Sequence, residues 1–240
     1  MTEKMITCRY FGHYLQVPLR CAKTIGSFSG YITKKGFATV REQYKIYSFY
    51  TFLEPFKNPI MLDIGASHGS YSYLTLLHPT LSIYSFEPYK PVYDDFVNIL
   101  ATNKMERIFP KNIALSNIET TCEMKRGYGK NLGMKQLDKK TFGNGTVKVQ
   151  TLDSLFFDKI DAIKIDVEGH EIEVLEGAKE TLLKTKPKYL QIESFKKENI
   201  EKILSMFSED YDHYKFGPDL IFIRKEYMPY KINKFFTIEE

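Results

Sequence analysis

One local pattern occurs twice, about a hundred residues apart. Ile60-Met-Leu-Asp63-Ile-Gly65-Ala66-Ser67-His-Gly69 and Ile163-Lys164-Ile-Asp166-Val-Glu168-Gly-His170-Glu171 are each an apolar run that ends in a carboxylate and then a glycine. A third apolar run between them ends in Glu87. Short apolar runs bounded by turns read as strands buried on both faces, the kind found in parallel sheets covered by helices. Such a sheet delivers what its strands carry at their carboxyl ends to one crevice, where a nucleotide-type cofactor binds.

The rest of the chain follows that rhythm. Strands are expected at 60–64, 81–86, 108–115, 161–166, 188–193, 211–216 and 220–224, and helices at 70–77, 89–103, 171–184 and 198–207. Pro91 falls in a first helical turn, where its missing N–H costs nothing, and Pro110 marks its strand as an edge. Gly217-Pro218 predicts a closing hairpin that adds one antiparallel strand. The predicted fold is α/β, a doubly wound, mostly parallel seven-stranded sheet of the Rossmann-like type. Residues 1–58, strand-like and then helical from 38 to 53, read as an N-terminal cap or lid. Residues 59–226 form the main domain, interrupted at 116–150 by a glycine-rich excursion over the cleft mouth, and 227–240 form a tail.

Composition sets outer bounds. A chain of 240 residues with 43% hydrophobic residues can bury a full core. Net charge is +4, yet residues 1–58 hold nine Lys or Arg against three Glu, so the remainder is close to neutral. A basic segment of this kind suits either a solvated face or an anionic acceptor, and no RNA-recognition motif accompanies it. Cys8, Cys21 and Cys122 are odd in number and not spaced for zinc. No apolar stretch reaches the roughly 18 residues of a membrane span, and the start has no leader-like apolar run. The expectation is a cytoplasmic protein.

The site residues follow from the strand ends. The turn after Asp63 spaces its glycines G-x-x-x-G, not G-x-G-x-x-G, which argues against a pyrophosphate grip. A carboxylate at that strand end repels phosphate but suits S-adenosylmethionine, which carries a sulfonium and an ammonium. Glu87 lies about 20 residues on, where an acid binds ribose hydroxyls. Lys164 and Asp166 share one face of their strand. A lysine there needs a partner carboxylate, for which Glu193 at the next strand end is the candidate. Glu171 and Glu173 are accounted for by the positive end of a helix.

At these residues the sequence resembles the FkbM family of S-adenosylmethionine-dependent methyltransferases. The matching pieces are Asp63-Ile-Gly65-Ala66-x-x-Gly69-x-Tyr71-Ser72, Phe86-Glu87-Pro88, Ala114-Leu115-Ser116, Leu152-Asp153 and Ile163-Lys164-Ile-Asp166-Val-Glu168-Gly169-His170-Glu171. They keep the family's order and cover residues 60–195. Ser67 and His68 depart from the family's Asn and apolar residue. The resemblance implies methyl transfer, generally to oxygen, often on sugars or secondary metabolites. It implies that Asp63, Gly65 and Gly69 hold the methionine part, with Ala66, Ser67 and Tyr71 in the same loop. Glu87, beside Pro88, would hold the ribose. The backbone near Ala114 would meet the adenine, and Asp166, with Glu168 beside it, would lie next to the methyl group.

Alignment does most of the catalysis in such a displacement. A hydroxyl acceptor gains from a general base, for which Asp166 and His170 are the candidates, with Lys164 and Glu193 completing the catalytic group. His170 serves equally well as a residue packing the helix start. Mg²⁺ is a variant, with Asp166, Glu168 and Glu193 as oxygen ligands and His170 beside them. The acceptor is expected to be a small molecule or a glycan. The alternatives are an RNA ribose 2′-O-methyltransferase, prompted by Lys164, Asp166 and Glu193, a non-catalytic S-adenosylmethionine-binding subunit, and a dehydrogenase.

Overall fold

The structure is a computed structural model that describes residues 4–19, 40–126 and 135–227. Expectations placed on Cys21 and the rest of 20–39, on 127–134 of the excursion and on the C-terminal tail beyond 227 lie outside the described residues.

The chain opens with a hairpin of β1 (Met5–Tyr10) and β2 (His13–Pro18). Phe11 and Gly12 turn it with φ of 43° and 94°, a pair whose twist matches that of the strands. Helix α1 (Val40–Leu53) follows. The alternating part then runs β3 (Ile60–Ile64), β4 (Ser82–Phe86), α2 (Lys90–Thr102) and β5 (Ile108–Lys111). The excursion contributes β6 (Ala114–Leu115), β7 (Thr120–Arg126), β8 (Lys135–Asp138) and β9 (Val147–Gln150). The chain returns through β10 (Ala162–Ile165), α3 (Glu171–Glu176), α4 (Lys179–Thr185), β11 (Tyr189–Glu193), α5 (Lys197–Phe207), β12 (Tyr211–Phe216) and β13 (Asp219–Arg224).

Seven strands form one sheet in the order β12-β13-β11-β10-β3-β4-β5. All neighbours from β11 to β5 pair in parallel, and β13 runs antiparallel to both β11 and β12. The doubly wound sheet and its single antiparallel strand are those expected from the sequence, and β5, with Pro110, is an edge. The chain leaves β3 toward β4 on one side and returns to β10 on the other. That reversal between β3 and β10 opens a crevice at their carboxyl ends.

Alternate residues of each strand enter opposite cores. Met61, Ile83, Ala162 and Tyr189 meet the hairpin, α1 and α2 through Tyr10, Phe49 and Phe96. Leu62, Ile64, Ile163, Ile165 and Ile192 meet α3 and α5 through Leu175, Ile203 and Phe207. The N-terminal hairpin is therefore part of a main core. Asn103 latches it by accepting from the Gln16 N–H at 2.8 Å and donating to the Gln16 carbonyl at 2.9 Å.

Three expected elements differ. The helix expected over 70–77 is a tight 3₁₀ turn, Ser72–Leu76. Tyr71, Ser72, Tyr73 and Leu74 are all buried. Ser72 is tied to Asp63 at 2.6 Å and Ser85 at 2.8 Å, and the Tyr73 hydroxyl reaches the His68 carbonyl. Four anchored residues in succession leave no polar face for an ordinary helix. The helix expected over 171–184 breaks at Gly177, where an added Cβ would lie 1.9 Å from the Ser116 carbonyl oxygen. Asp153 restarts it by accepting from the Thr181 N–H at 2.8 Å. The strand expected over 108–115 is two, because Asn112 leaves the sheet to bind the Glu87 carbonyl at 2.8 Å and β6 joins β9 instead. The excursion is a four-stranded sheet in the order β6-β9-β7-β8.

Candidate active site

A cavity of about 210 Å³ lies at the reversal point. Its floor comes from the ends of β3, β4 and β10: Ile64, Gly65, Ser67, Glu87, Pro88, Asp166, Glu168 and His170. One wall is apolar, with Val92, Ile113, Ala114 and Leu115. The excursion closes another side with Met124, Lys135 and Leu137.

Backbone conformation fixes the two loops. Gly65 has φ of 79° and Ser67 of 50°; Glu168 and Gly169 have φ of 55° and 95°. Left-handed residues that are not glycine cost energy, and they cluster where a site demands a particular turn. The loops also touch. A Cβ on Gly65 would stand 1.8 Å from the Asp166 carbonyl oxygen, so only glycine lets the two strand ends run side by side.

Glu87 joins the loops around the cavity. It accepts from the Ser67 N–H at 2.9 Å and the Tyr89 N–H at 2.8 Å, one bond to each oxygen. A carboxylate has about four acceptor positions, so each oxygen can take a further hydroxyl. Burial pushes the Glu87 carboxyl up to about 7, against the pull of those two N–H groups and of Lys164. Burial, then the charge of Asp166, pushes Glu168 up to about 7 as well.

Asp63 does not line the cavity. It is fully buried behind it, where it accepts from Ser72 and lies 3.5 Å from the Lys164 ammonium. Lys164 donates to the Gly65 carbonyl at 2.8 Å and lies 3.6 Å from Asp166 Oδ2. Burial works against the ammonium, but Asp166, Asp63 and Glu193 together hold its pKa above the lysine norm. The sequence reading paired Lys164 with Glu193; Asp63 and Asp166 are its ion-pair partners, and Glu193 pairs with Lys45 at 3.4 Å. Ala66, Gly69 and Tyr71 also lie off the cavity surface. Gly69 packs against Phe96, and Tyr71 accepts from Gln191 at 2.7 Å while its ring faces Lys164.

His170 lines the cavity with both ring nitrogens engaged. Nε2 lies 2.9 Å from the Ser116 hydroxyl and Nδ1 3.5 Å from Glu173 Oε2. Burial pulls its pKa down to about 4, so at neutral pH the ring is uncharged. This packing at the helix start leaves it poorly placed to take a proton. Glu171, expected only to meet a helix dipole, accepts from the Gly169 N–H at 2.7 Å and stabilises the loop turn. Among the described residues, no group of three or more His, Cys, Asp or Glu side chains is arranged to hold a metal ion. No described helix is long and apolar enough to cross a membrane. Cys8 and Cys122 are buried free thiols.

Sequence reasoning missed the excursion residues Met124, Lys135 and Leu137, which carry no motif. It also missed Lys45, which had left a trace: a lysine on the stripe of α1 that otherwise buries Ile46, Phe49, Phe52 and Leu53.

The chain belongs to the methyltransferase FkbM domain family, which matches residues 63–217. The family implies S-adenosylmethionine as the methyl donor. Among solved structures, the chain is similar to methyltransferase FkbM from Methylobacillus flagellatus KT, with 18% identity and a TM-score of 0.50 over 72% of this chain and 47% of that one. It thus spans about half the length of that protein. An rRNA methylase from Streptococcus thermophilus matches at 11% identity and a TM-score of 0.48, over 74% of this chain and 94% of that one. A precorrin-6y C5,15-methyltransferase from Geobacter metallireducens GS-15 matches at 13% identity and a TM-score of 0.47, over 80% and 95%. No curated protein sequence matches significantly.

The residues present fit that donor. Two rim carboxylates, Glu87 and Asp166, suit a sulfonium, an ammonium and ribose hydroxyls, and the apolar wall suits a flat base. A lining with one lysine against Glu87, Asp166 and Glu168 is unsuited to a pyrophosphate.

Proposed function

We propose that this protein is an S-adenosylmethionine-dependent O-methyltransferase that acts on a hydroxyl of a sugar, a glycan or a related metabolite. The observation that carries this reading is the shared cavity of Glu87 and Asp166 at the reversal point of the sheet. Glu87 holds the ribose hydroxyls, the Gly65–Ser67 main chain holds the methionine part, and Ala114 and Leu115 face the adenine. The bound donor supplies an electrophilic methyl carbon. Lys164 holds Asp166 and the Gly65 carbonyl in one frame, and Asp63 acts from behind by fixing Lys164. Asp166 orients the acceptor hydroxyl and takes its proton, a contribution of about 10²–10⁴ in rate. Excluding water from the apolar wall strengthens each of these interactions.

A carbohydrate acceptor is favoured by Phe195, two residues beyond Glu193 in sequence and 74% exposed. An exposed aromatic residue suits the apolar face of a sugar ring. Residues 59–226 form the transferase unit, and 1–58 with 116–150 shape acceptor choice. We place the protein in the cytoplasm, in keeping with its free thiols.

The test is calorimetric titration with S-adenosylmethionine and S-adenosylhomocysteine, followed by detection of methylated product across neutral sugars, nucleotide sugars and RNA. Micromolar binding, lost in Glu87→Ala, and transfer to a carbohydrate are expected. Binding of NADH in place of either ligand would overturn the reading, and product on RNA alone would replace the acceptor.

A further inference from the structure

Beyond Asp166, the next strand tip belongs to Glu193. In the β10–β11 register Ile165 stands opposite Ile192, so the residues that follow, Asp166 and Glu193, are neighbours at the carboxyl edge of the sheet. The cavity spreads the other way, over β10, β3 and β4, and is closed beyond them by the excursion. Side chains of Asp166 and Glu193 keep 36% and 21% of their exposure. An acceptor that meets the methyl carbon beside Asp166 therefore has Glu193 as its next contact along the edge.

Glu193 is held from a part of the chain that the family match does not include. Lys45 of α1 has a side chain only 4% exposed, and its ammonium lies 2.5 Å from Asp219 Oδ2 and 3.4 Å from Glu193 Oε1. Behind it, Gln191 donates to Asp219 at 3.0 Å and to the Tyr71 hydroxyl at 2.7 Å. The Tyr71 ring in turn faces Lys164 at 5.4 Å. A continuous polar network thus joins α1 to the group that frames Asp166. Burying a lysine on an apolar helix stripe costs several kcal/mol per ion, and an aliphatic residue would serve packing as well or better. Packing alone does not account for Lys45.

We propose that Lys45 is a positioning residue that fixes Glu193 beside Asp166, and that these two carboxylates form an acceptor subsite for neighbouring hydroxyls of a neutral sugar or other polyol. This rests on the methyl-transfer reading above. Among the described residues, Asp63, Asp166, Glu193 and Asp219 gather around Lys45 and Lys164, so acidic groups outnumber basic ones there. Such a field disfavours a phosphate at this spot and suits a neutral hydroxyl.

The test uses the full-length protein loaded with S-adenosylhomocysteine, with saturation-transfer NMR against a panel of neutral monosaccharides. At least one sugar is expected to receive saturation. Lys45→Met should weaken its binding at least tenfold and Lys45→Arg should restore most of it, with S-adenosylhomocysteine affinity within twofold throughout. In a Glu193→Gln background, Lys45→Met should add no further loss. Sugar binding by Lys45→Met equal to wild type, additive losses in the double variant, or no sugar bound by the loaded wild type would each overturn the proposal. Should Lys45→Met not fold, Glu193→Gln decides alone: a tenfold loss supports the subsite and unchanged binding overturns it. Absence of S-adenosylhomocysteine binding by the wild type would instead remove the methyl-transfer reading beneath.

Discussion

The two acid-glycine loops look alike in sequence and are built for different work. In the loop after β3, Asp63 is fully buried and its glycines are jammed: Cβ atoms on Gly65 and Gly69 would stand 1.8 Å from a carbonyl oxygen and 2.2 Å from the Phe96 ring. In the loop after β10, Asp166 keeps 36% of its side-chain exposure, and a Cβ on Gly169 would meet nothing within 4 Å. On the function proposed above, the first loop is scaffold and the second carries the chemistry. Placing a rigid acid behind an exposed one gives the exposed carboxylate a fixed position, which a reacting centre requires.

The largest expected effect comes from Gly65→Ala. A Cβ 1.8 Å from backbone cannot be relieved by a rotamer change, and φ of 79° adds strain. With no room to relax, overpacking and strain sit at the upper end of their ranges and together should cost up to about 5 kcal/mol, a large share of a domain's whole stability. Denaturant unfolding checks it, and a variant that melts like wild type would break the scaffold assignment.

The two acids should separate next. Asp63→Ala leaves Lys164 short of a buried partner and should cost about 3–5 kcal/mol of stability. Asp166→Ala also takes a partner from Lys164, but from its more exposed side, so it should cost less stability than Asp63→Ala while lowering turnover by about 10²–10⁴. Unfolding curves beside single-turnover rates resolve the pair, and equal effects of both kinds in both variants would erase the contrast.

How much of this contrast was legible in sequence depends on what made each residue visible. The strands, the β3–β10 reversal and the cavity acids Glu87 and Asp166 were readable because apolar runs and their terminal charges are local signals. That Asp63 would be sealed was not, because it depends on Ser72 reaching it across a 3₁₀ turn that looked helical. The same limit hid the break at Gly177, set by the distant Ser116 carbonyl. The excursion's share of the cavity has no periodic trace, since Met124, Lys135 and Leu137 come together only through the pairing of β7 with β8. His170 reads as a base or a packing residue by type and place, and its burial against Ser116, 54 residues away in sequence, is not a local signal.

A pH series sharpens the comparison with a smaller effect. The carboxyls of Glu87, clamped to the first loop, and Glu168, in the second, are both raised from 4.5 to about 7. A carboxyl raised in the folded state adds stability that is full below its unfolded value and is lost as pH rises through the folded one. The contribution of these two carboxyls should therefore fall between about pH 4.5 and 7, while His170, lowered by burial from 6.5 to about 4, adds stability as pH rises through part of the same window. At about 1.4 kcal/mol per pH unit, Glu87 accounts for at most about 3.5 kcal/mol of that fall, and the less buried Glu168 for less. Glu87→Gln should flatten the pH dependence of unfolding more than Glu168→Gln. Affinity for S-adenosylhomocysteine should move oppositely, rising as Glu87 ionises and becomes the better acceptor. A pH dependence left unchanged by both Gln substitutions would show that the two carboxyls are not raised.

The smallest effect belongs to Gly169→Ala, the counterpart of the first substitution. Its φ of 95° is strained for any residue with a Cβ, yet open space surrounds the position. Strain alone should cost about 1–2 kcal/mol. The consequence for turnover should exceed the consequence for folding, because the Gly169 N–H donates to Glu171 at 2.7 Å and so sets the turn that carries Asp166 and Glu168 to the cavity. A shift of that turn by about 1 Å is enough to cost roughly 10² in rate. Unfolding free energy measured beside single-turnover rates would show a mild loss in the first and a marked loss in the second. A proportionate loss in both would make the second loop a scaffold like the first and dissolve the division between them.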